Sequence, residues 1–249
     1  MQIKLDESKF LEILNKEQKV LFIFDYDGTL TELVRDHNAA TMTDEQIAVL
    51  NKLVKSANTK VSIVTGRALE NLKFLLGGRL DNEVMLYGTH GAEAGEGIVV
   101  DPKIREALDE IHNLLKNEEH ILFEEKPLSL TIHYKEHPDK EGLILMLEKI
   151  AENYTELFRI QQGHQVFEYL PKSIDKGIAM RDLHSKFKDY FPIFLGDDLT
   201  DNFGFKVINE INGLSVQVGE RISEREAGYL IDKVDDTYKL IDLYLQRQE

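Results

Sequence analysis

Two clusters of carboxylates each follow directly on a short apolar run. The first is Asp25-Tyr26-Asp27-Gly28-Thr29-Leu30, after Val20 to Phe24; the second is Gly196-Asp197-Asp198-Leu199-Thr200-Asp201, after Ile193 to Leu195. Side chains at i and i+2 of a strand share a face, and at the strand's end the backbone can splay them around one small volume, which Asp25 and Asp27 would then border. Gly28 permits a sharp turn there. Two such clusters facing one another would repel, and a bound hard cation removes that cost. With oxygen donors only and no Cys in the chain, the cation expected is Mg²⁺ rather than zinc. The plainer reading of the same residues is helix capping, an Asp pair in a turn at 25 and 27 and an N-cap or first-turn acid at Asp198 or Asp201.

Two weaker signals lie between them. Thr65-Gly66-Arg67 closes the run Val61 to Val64, and a hydroxyl with fresh backbone N–H groups at a helix start suits a phosphate oxygen. Lys176-Gly177 opens a helical stretch. Each alone is common on protein surfaces.

The elements that must position these residues are legible in the pattern of apolar residues. Val20-Leu21-Phe22-Ile23-Phe24 is apolar throughout and bounded by charge, as in a strand buried on both faces of a parallel sheet. Thr43 to Gln46 is a capping box opening a helix with Ile47, Leu50, Leu53 and Val54 on one face. Strands are expected at 61–64 and 84–87, with a helix from about 68 between them. After Gly95 the pattern changes to two hairpins, Ile121 to Tyr134 and Phe158 to Leu170, with helices near 102–115 and 138–153. It then returns to a helix from Lys176, a strand at 193–195, a helix from 199, a strand at 214–218 and a final helix. This predicts an α/β fold, a doubly wound Rossmann-like core at 1–94 and 173–249, interrupted by an inserted α+β domain at 95–172.

Composition narrows the function classes. The net charge of −15 disfavours a nucleic-acid partner and requires a phosphate-binding site to carry its own local positive charge. The absence of Cys excludes disulfides, thiolate metal sites and Cys nucleophiles. The longest early apolar run ends after five residues in Asp25, too short for a signal peptide or membrane span, so the expectation is a soluble, cytoplasmic chain with no membrane partner.

In order, these features read Asp-x-Asp-Gly-Thr, Thr, Lys, Gly-Asp-Asp. That order resembles the haloacid dehalogenase (HAD) superfamily of phosphatases. Within it, the chain is similar to the trehalose-6-phosphate phosphatase family through Gly88-Thr89-His90-Gly91-Ala92-Glu93, Leu128 to Tyr134, Gln161-Gln162-Gly163, Glu168 with Pro171, Lys176-Gly177 and Phe194 to Asp201. It departs from that family at Asn202, where an acid is usual, and at Lys135, where Arg is usual; the latter change forfeits bidentate geometry.

The resemblance implies a Mg²⁺-dependent phosphomonoester hydrolase acting on a small sugar phosphate, a function compatible with a monomer. Asp25 would be the nucleophile that becomes an aspartyl phosphate and Asp27 the general acid and then base. Thr65, Gly66 and Lys176 would hold phosphate oxygens. The metal would be held by the Asp25 carboxylate, the Asp27 carbonyl and Asp197, with Asp198 and Asp201 behind them. The inserted domain would act as a cap, with Glu124, Lys126 and Glu168 reading sugar hydroxyls and His90 near the domain junction.

Two alternatives stay open at this point. One is a phosphatase for sucrose phosphate or a mannosyl-phosphoglycerate. The other is a phospho-accepting regulatory domain, which shares the Asp cluster, metal, Thr and Lys but has neither an acid two residues past the nucleophile nor a cap.

Overall fold

The run from Val20 to Phe24 is buried at every position, which is why it shows no polar alternation: both faces of the strand are covered. A computed structural model of the chain describes residues 3–15, 17–34, 39–94, 102–125, 128–163, 165–220 and 226–248. In chain order it contains β1 (Ile3–Lys4), α1 (Glu7–Leu14), β2 (Val20–Phe24), α2 (Asp44–Lys55), β3 (Thr59–Val64), α3 (Leu69–Leu76), β4 (Met85–Gly88) and β5 (Glu93–Ala94). Then follow α4 (Pro102–Leu115), β6 (Leu122–Glu125), β7 (Leu130–His133), α5 (Lys140–Ala151), β8 (Phe158–Gly163) and β9 (Val166–Pro171). The chain closes with α6 (Lys176–Lys186), β10 (Phe191–Gly196), α7 (Asn202–Glu210), β11 (Leu214–Val218), β12 (Tyr229–Ile231) and α8 (Val234–Gln248). It forms two compact units, 1–95 with 175–249, and 96–174.

The first unit is built on an eight-stranded sheet of order β1-β12-β11-β10-β2-β3-β4-β5. All pairings are parallel except β4 with β5. Val20, Phe22 and Phe24 face a cluster with Phe10, Leu14, Leu50, Leu53, Leu72 and Tyr244. Leu21 and Ile23 face the opposite way, onto Met180, Leu183, Phe205 and Ile208. Helices therefore cover both sides of the sheet. From β2 the chain moves outward through β3 and β4, then returns on the other side at β10. The reversal between β2 and β10 opens a crevice at the strands' carboxyl ends, the usual ligand position in such sheets.

Three strands have no counterpart in the sequence reading: β1, β5 and β12. At two or three residues each they are too short to show a period, and they exist because a neighbouring strand offers them partners. The helix expected from Leu199 begins instead as a 3-10 turn, Leu199–Asp201, before α7. The capping box at α2 forms, with the Thr43 hydroxyl accepting from Gln46 N and the Gln46 side chain accepting from Thr43 N.

The second unit is a four-stranded antiparallel sheet of order β6-β7-β9-β8. Leu130, Ile132, Phe167 and Tyr169 pack one of its faces against Ile104, Leu108 and Ile111 of α4 and Leu143 and Leu147 of α5. Side chains alternate along each strand, so the other face takes Glu124, Thr131, Glu168 and Gln161, which lie opposite one another in register across all four strands.

Candidate active site

Asp25 is the first residue beyond β2, and its backbone N–H donates to Leu195 O of β10 at 2.9 Å. That bond ties together the two strand ends carrying the carboxylate clusters. Lys176, the first residue of α6, reaches between them. Its Nζ lies 2.7 Å from Asp25 Oδ1 and 2.6 Å from Asp201 Oδ1, with the lysine only 2% exposed. Asp201 is wholly buried, and its Oδ2 accepts from Asp198 N at 2.8 Å. Asp198 in turn spends its Oδ1 on Leu199 N, capping the turn. The two acids that look interchangeable in sequence thus differ: both belong to the capping box, but Asp201 alone of the two also pairs with Lys176.

Asp25, Asp197 and Asp201 can each offer an oxygen within 4.8 Å of the others. The site is short of positive charge, with three carboxylates around one ammonium. Burial pushes the Asp25 carboxyl well above its usual range, with Lys176 opposing and the neighbouring carboxylates adding to the rise. Burial, then Asp201 beside it, pushes Asp197 up to about 7. Burial alone would disfavour the Lys176 ammonium, but Asp201 and Asp25 hold it above its ordinary value. A hard divalent cation fits this donor set, which is all oxygen and over-supplied with negative charge. Gly28 lets the loop after β2 lie against the cluster: its φ is +72°, and a Cβ there would overlap the Asp197 carboxylate.

The third component comes from β3 and β4. Thr65 follows β3 and is buried, and its hydroxyl accepts from Arg67 N at 3.2 Å, leaving its own proton free to donate. Asp27 pairs with Arg67, whereas Lys176 pairs with Asp25 and Asp201. Arg67 grips the Asp27 carboxylate with two bonds, Nε to Oδ2 at 2.7 Å and Nη2 to Oδ1 at 2.6 Å. The turn after β4 braces this loop: Thr89 N donates to Arg67 O, and His90 N to Thr65 O. The His90 ring lies so close to Gly66 that a Cβ there would sit 2.7 Å from it. Glu93 completes the brace from β5, one oxygen accepting from the Thr89 hydroxyl and the other from Leu69 N at the start of α3.

The structure therefore brings together Asp25, Lys176, Asp197 and Asp201 as one group, with Asp198 directly behind it. Asp27 and Thr65 are joined through Arg67, and Gly66 lies against His90. In the second unit, Glu168 accepts from the Ser129 hydroxyl at 2.7 Å, and Glu124 lies 3.0 Å from His133 Nε2. Lys126 lies outside the described residues. Arg67 and Glu93 are the members that sequence reasoning passed over. Both stood inside quoted motifs, but nothing in a linear spacing shows that Arg67 meets a carboxylate 40 positions away.

Comparison with known proteins adds to this geometry. The family model described as trehalose-phosphatase matches residues 23–229. A trehalose-6-phosphate phosphatase of Escherichia coli (strain K12) is 27% identical over 234 residues, covering 90% of this chain and 86% of the relative. Trehalose-phosphate phosphatase B of Arabidopsis thaliana is 25% identical, covering 94% of this chain and 68% of its own length. Among solved structures, the C-terminal domain of the C. albicans trehalose-6-phosphate phosphatase superposes with a TM-score of 0.78 at 24% identity, covering 99% of each chain. At that identity the superposition bears on the fold.

Proposed function

The chain belongs to the trehalose-phosphatase family, and from that premise we propose that it hydrolyses trehalose 6-phosphate to trehalose and phosphate. The observation that carries the chemistry is Lys176 bridging Asp25 and Asp201 where β2 meets β10. Lys176 engages Asp25 Oδ1, leaving the second oxygen to attack phosphorus. As that bond forms, the bond from phosphorus to the sugar oxygen breaks, and Asp27 delivers the proton that the leaving oxygen needs. The product is an aspartyl phosphate on Asp25. Water then attacks its phosphorus, Asp27 takes the water's proton, and Asp25 is released. Thr65, Gly66 and Lys176 hold the phosphate oxygens in the reading proposed here, and Lys176 neutralises charge that the −15 surface would otherwise repel.

The cation proposed is Mg²⁺, held by Asp25, Asp197 and the Asp27 carbonyl, with the buried Asp201 as a further candidate. When bound it neutralises charge on the transferring phosphoryl group. The sugar is proposed to be read by Glu124, Lys126 and Glu168, with His90 a further candidate. Glu124 and Glu168 share a polar row on one face of their sheet, a suitable surface for a ligand rich in hydroxyls. No helix among the described residues is long and apolar enough to cross a membrane. A cytoplasmic enzyme without a nucleic-acid or membrane partner fits the acidic charge and lack of Cys.

Phosphate release from trehalose 6-phosphate, measured beside sucrose 6-phosphate, glucose 6-phosphate and mannosyl-phosphoglycerate, tests the substrate. Equal or greater kcat/KM on any of the other three would refute it. Accumulation of a stable phosphoprotein without turnover would favour a phospho-accepting regulatory domain instead.

A further inference from the structure

Arg67 has no part in the proton and phosphoryl transfers, yet every nitrogen of its guanidinium is committed. Nε and Nη2 hold both oxygens of Asp27. Nη1 donates to Asn71 Oδ1 at 2.9 Å, in the first turn of α3. The group lies over the Tyr26 ring, 5.7 Å from its centroid. The side chain is only 10% exposed, whereas that of Asp27 is 28% exposed. The arginine is therefore the anchored partner and the carboxylate the one being held. Its main chain is anchored too, through N to the Thr65 hydroxyl and through O to Thr89 N.

We propose that Arg67 is the positioning residue for Asp27, setting the orientation in which that carboxyl exchanges a proton with the leaving oxygen and then with water. The inference rests on the reading of Asp27 as general acid and base. A one-point contact would leave the carboxyl free to turn about that contact, whereas two parallel bonds fix both its place and its plane. The fork does not block the proton's route. Each carboxylate oxygen has two lone pairs, so the fork occupies one on each and leaves the other available. A proton donor works only within about 2.6–3.2 Å of its target, and a displacement of about 1 Å costs on the order of a hundredfold in rate. Because Arg67 also joins Thr65 through its main chain, one residue sets the distance between the acid and the loop proposed to hold the phosphate.

The test is steady-state kinetics of Arg67→Ala, Arg67→Lys, Asp27→Asn and the Asp27→Asn/Arg67→Ala double variant. Each is assayed on trehalose 6-phosphate, whose alkoxide leaving group needs a proton, and on p-nitrophenyl phosphate, whose phenolate does not. Arg67→Ala should lower kcat/KM, which reports the step in which the leaving group departs, by on the order of a hundredfold on the sugar phosphate and by much less on p-nitrophenyl phosphate. Arg67→Lys, which keeps the charge and loses the fork, should fall between wild type and Arg67→Ala; it also provides the comparison if the alanine variant does not fold. In the Asp27→Asn background, Arg67→Ala should cost little more, since the group it positions is gone. Equal losses of kcat/KM on both substrates, or a full additional loss in the double variant, would overturn the proposal and make Arg67 a brace of the loop. If Asp27→Asn alone fails to distinguish the two leaving groups, the acid assignment fails. The double variant still decides whether Arg67 acts through Asp27.

Discussion

Replacing Lys176 by Met tests the charge balance of the site most directly. Methionine has nearly the length and volume of the lysine stem, so the change removes an ammonium without opening a cavity. Two carboxylates lose their partner: Asp25 at 2.7 Å and the wholly buried Asp201 at 2.6 Å. Removing one side of a buried ion pair costs about 3–5 kcal/mol, because the remaining charge is left desolvated. For a chain of this size that corresponds to a fall in melting temperature of about 6–20 °C. The loss should depend on pH with a definite sign. Burial already holds the Asp25 carboxyl above its ordinary range with Lys176 opposing, so removing the ammonium raises it further above its unfolded value. The variant therefore loses stability as pH rises above the ordinary carboxylate value of about 4 and approaches wild type as pH falls. Divalent cation should restore part of the loss in stability but not the activity, which falls by about a hundredfold or more with the loss of a charge aimed at the phosphoryl group. Urea denaturation of metal-free protein at pH 5 and pH 8 measures the first effect, and phosphate release the second. A metal-free variant within about 1 kcal/mol of wild type at pH 8, at most a third of the expected minimum, would refute the claim that Lys176 neutralises buried charge here.

Asp25→Asn should leave the fold intact by circular dichroism and reduce turnover below about a tenth of wild type; a higher residual rate would remove Asp25 as nucleophile. Exhaustive chelation, verified by metal analysis, should abolish phosphate release and lower the melting temperature. Returning Mg²⁺ at a hundred times its dissociation constant should restore about 2.7 kcal/mol. A melting curve indifferent to Mg²⁺ would argue against the acidic triad as its site. If Lys126 and Glu168 bind sugar hydroxyls as proposed, Lys126→Ala and Glu168→Ala each remove charge-assisted hydrogen bonds worth roughly 1.5–3 kcal/mol. They should therefore cut kcat/KM on trehalose 6-phosphate by about tenfold or more while sparing p-nitrophenyl phosphate. Equal loss on both substrates would mean that they support the unit's structure and do not read the sugar.

Local order along the chain was legible without coordinates. An apolar run with no alternation, bounded by charge, suits a strand covered on both faces, which marked β2, and the alternation of such strands with helices marked the α/β class. The box at Thr43 and Gln46 marked the start of α2, because its hydrogen bonds join residues three apart. The carboxylates after β2 and β10 were visible for the same reason: a strand end and the residues that follow it are neighbours in sequence. Which carboxylate does what was decided only by tertiary structure. Asp198 and Asp201 carry the same group three positions apart in one capping box, yet only Asp201 also shares a buried ammonium from a residue 25 positions upstream. The grip of Arg67 on Asp27 spans 40 positions and depends on β3 pairing directly with β2. Glu93 reaches Leu69 because β5 closes the sheet beside β4. Hydrophobic periodicity records which face of an element is buried. It carries no information about which strands lie side by side, and in a parallel sheet that order alone determines which distant charges meet.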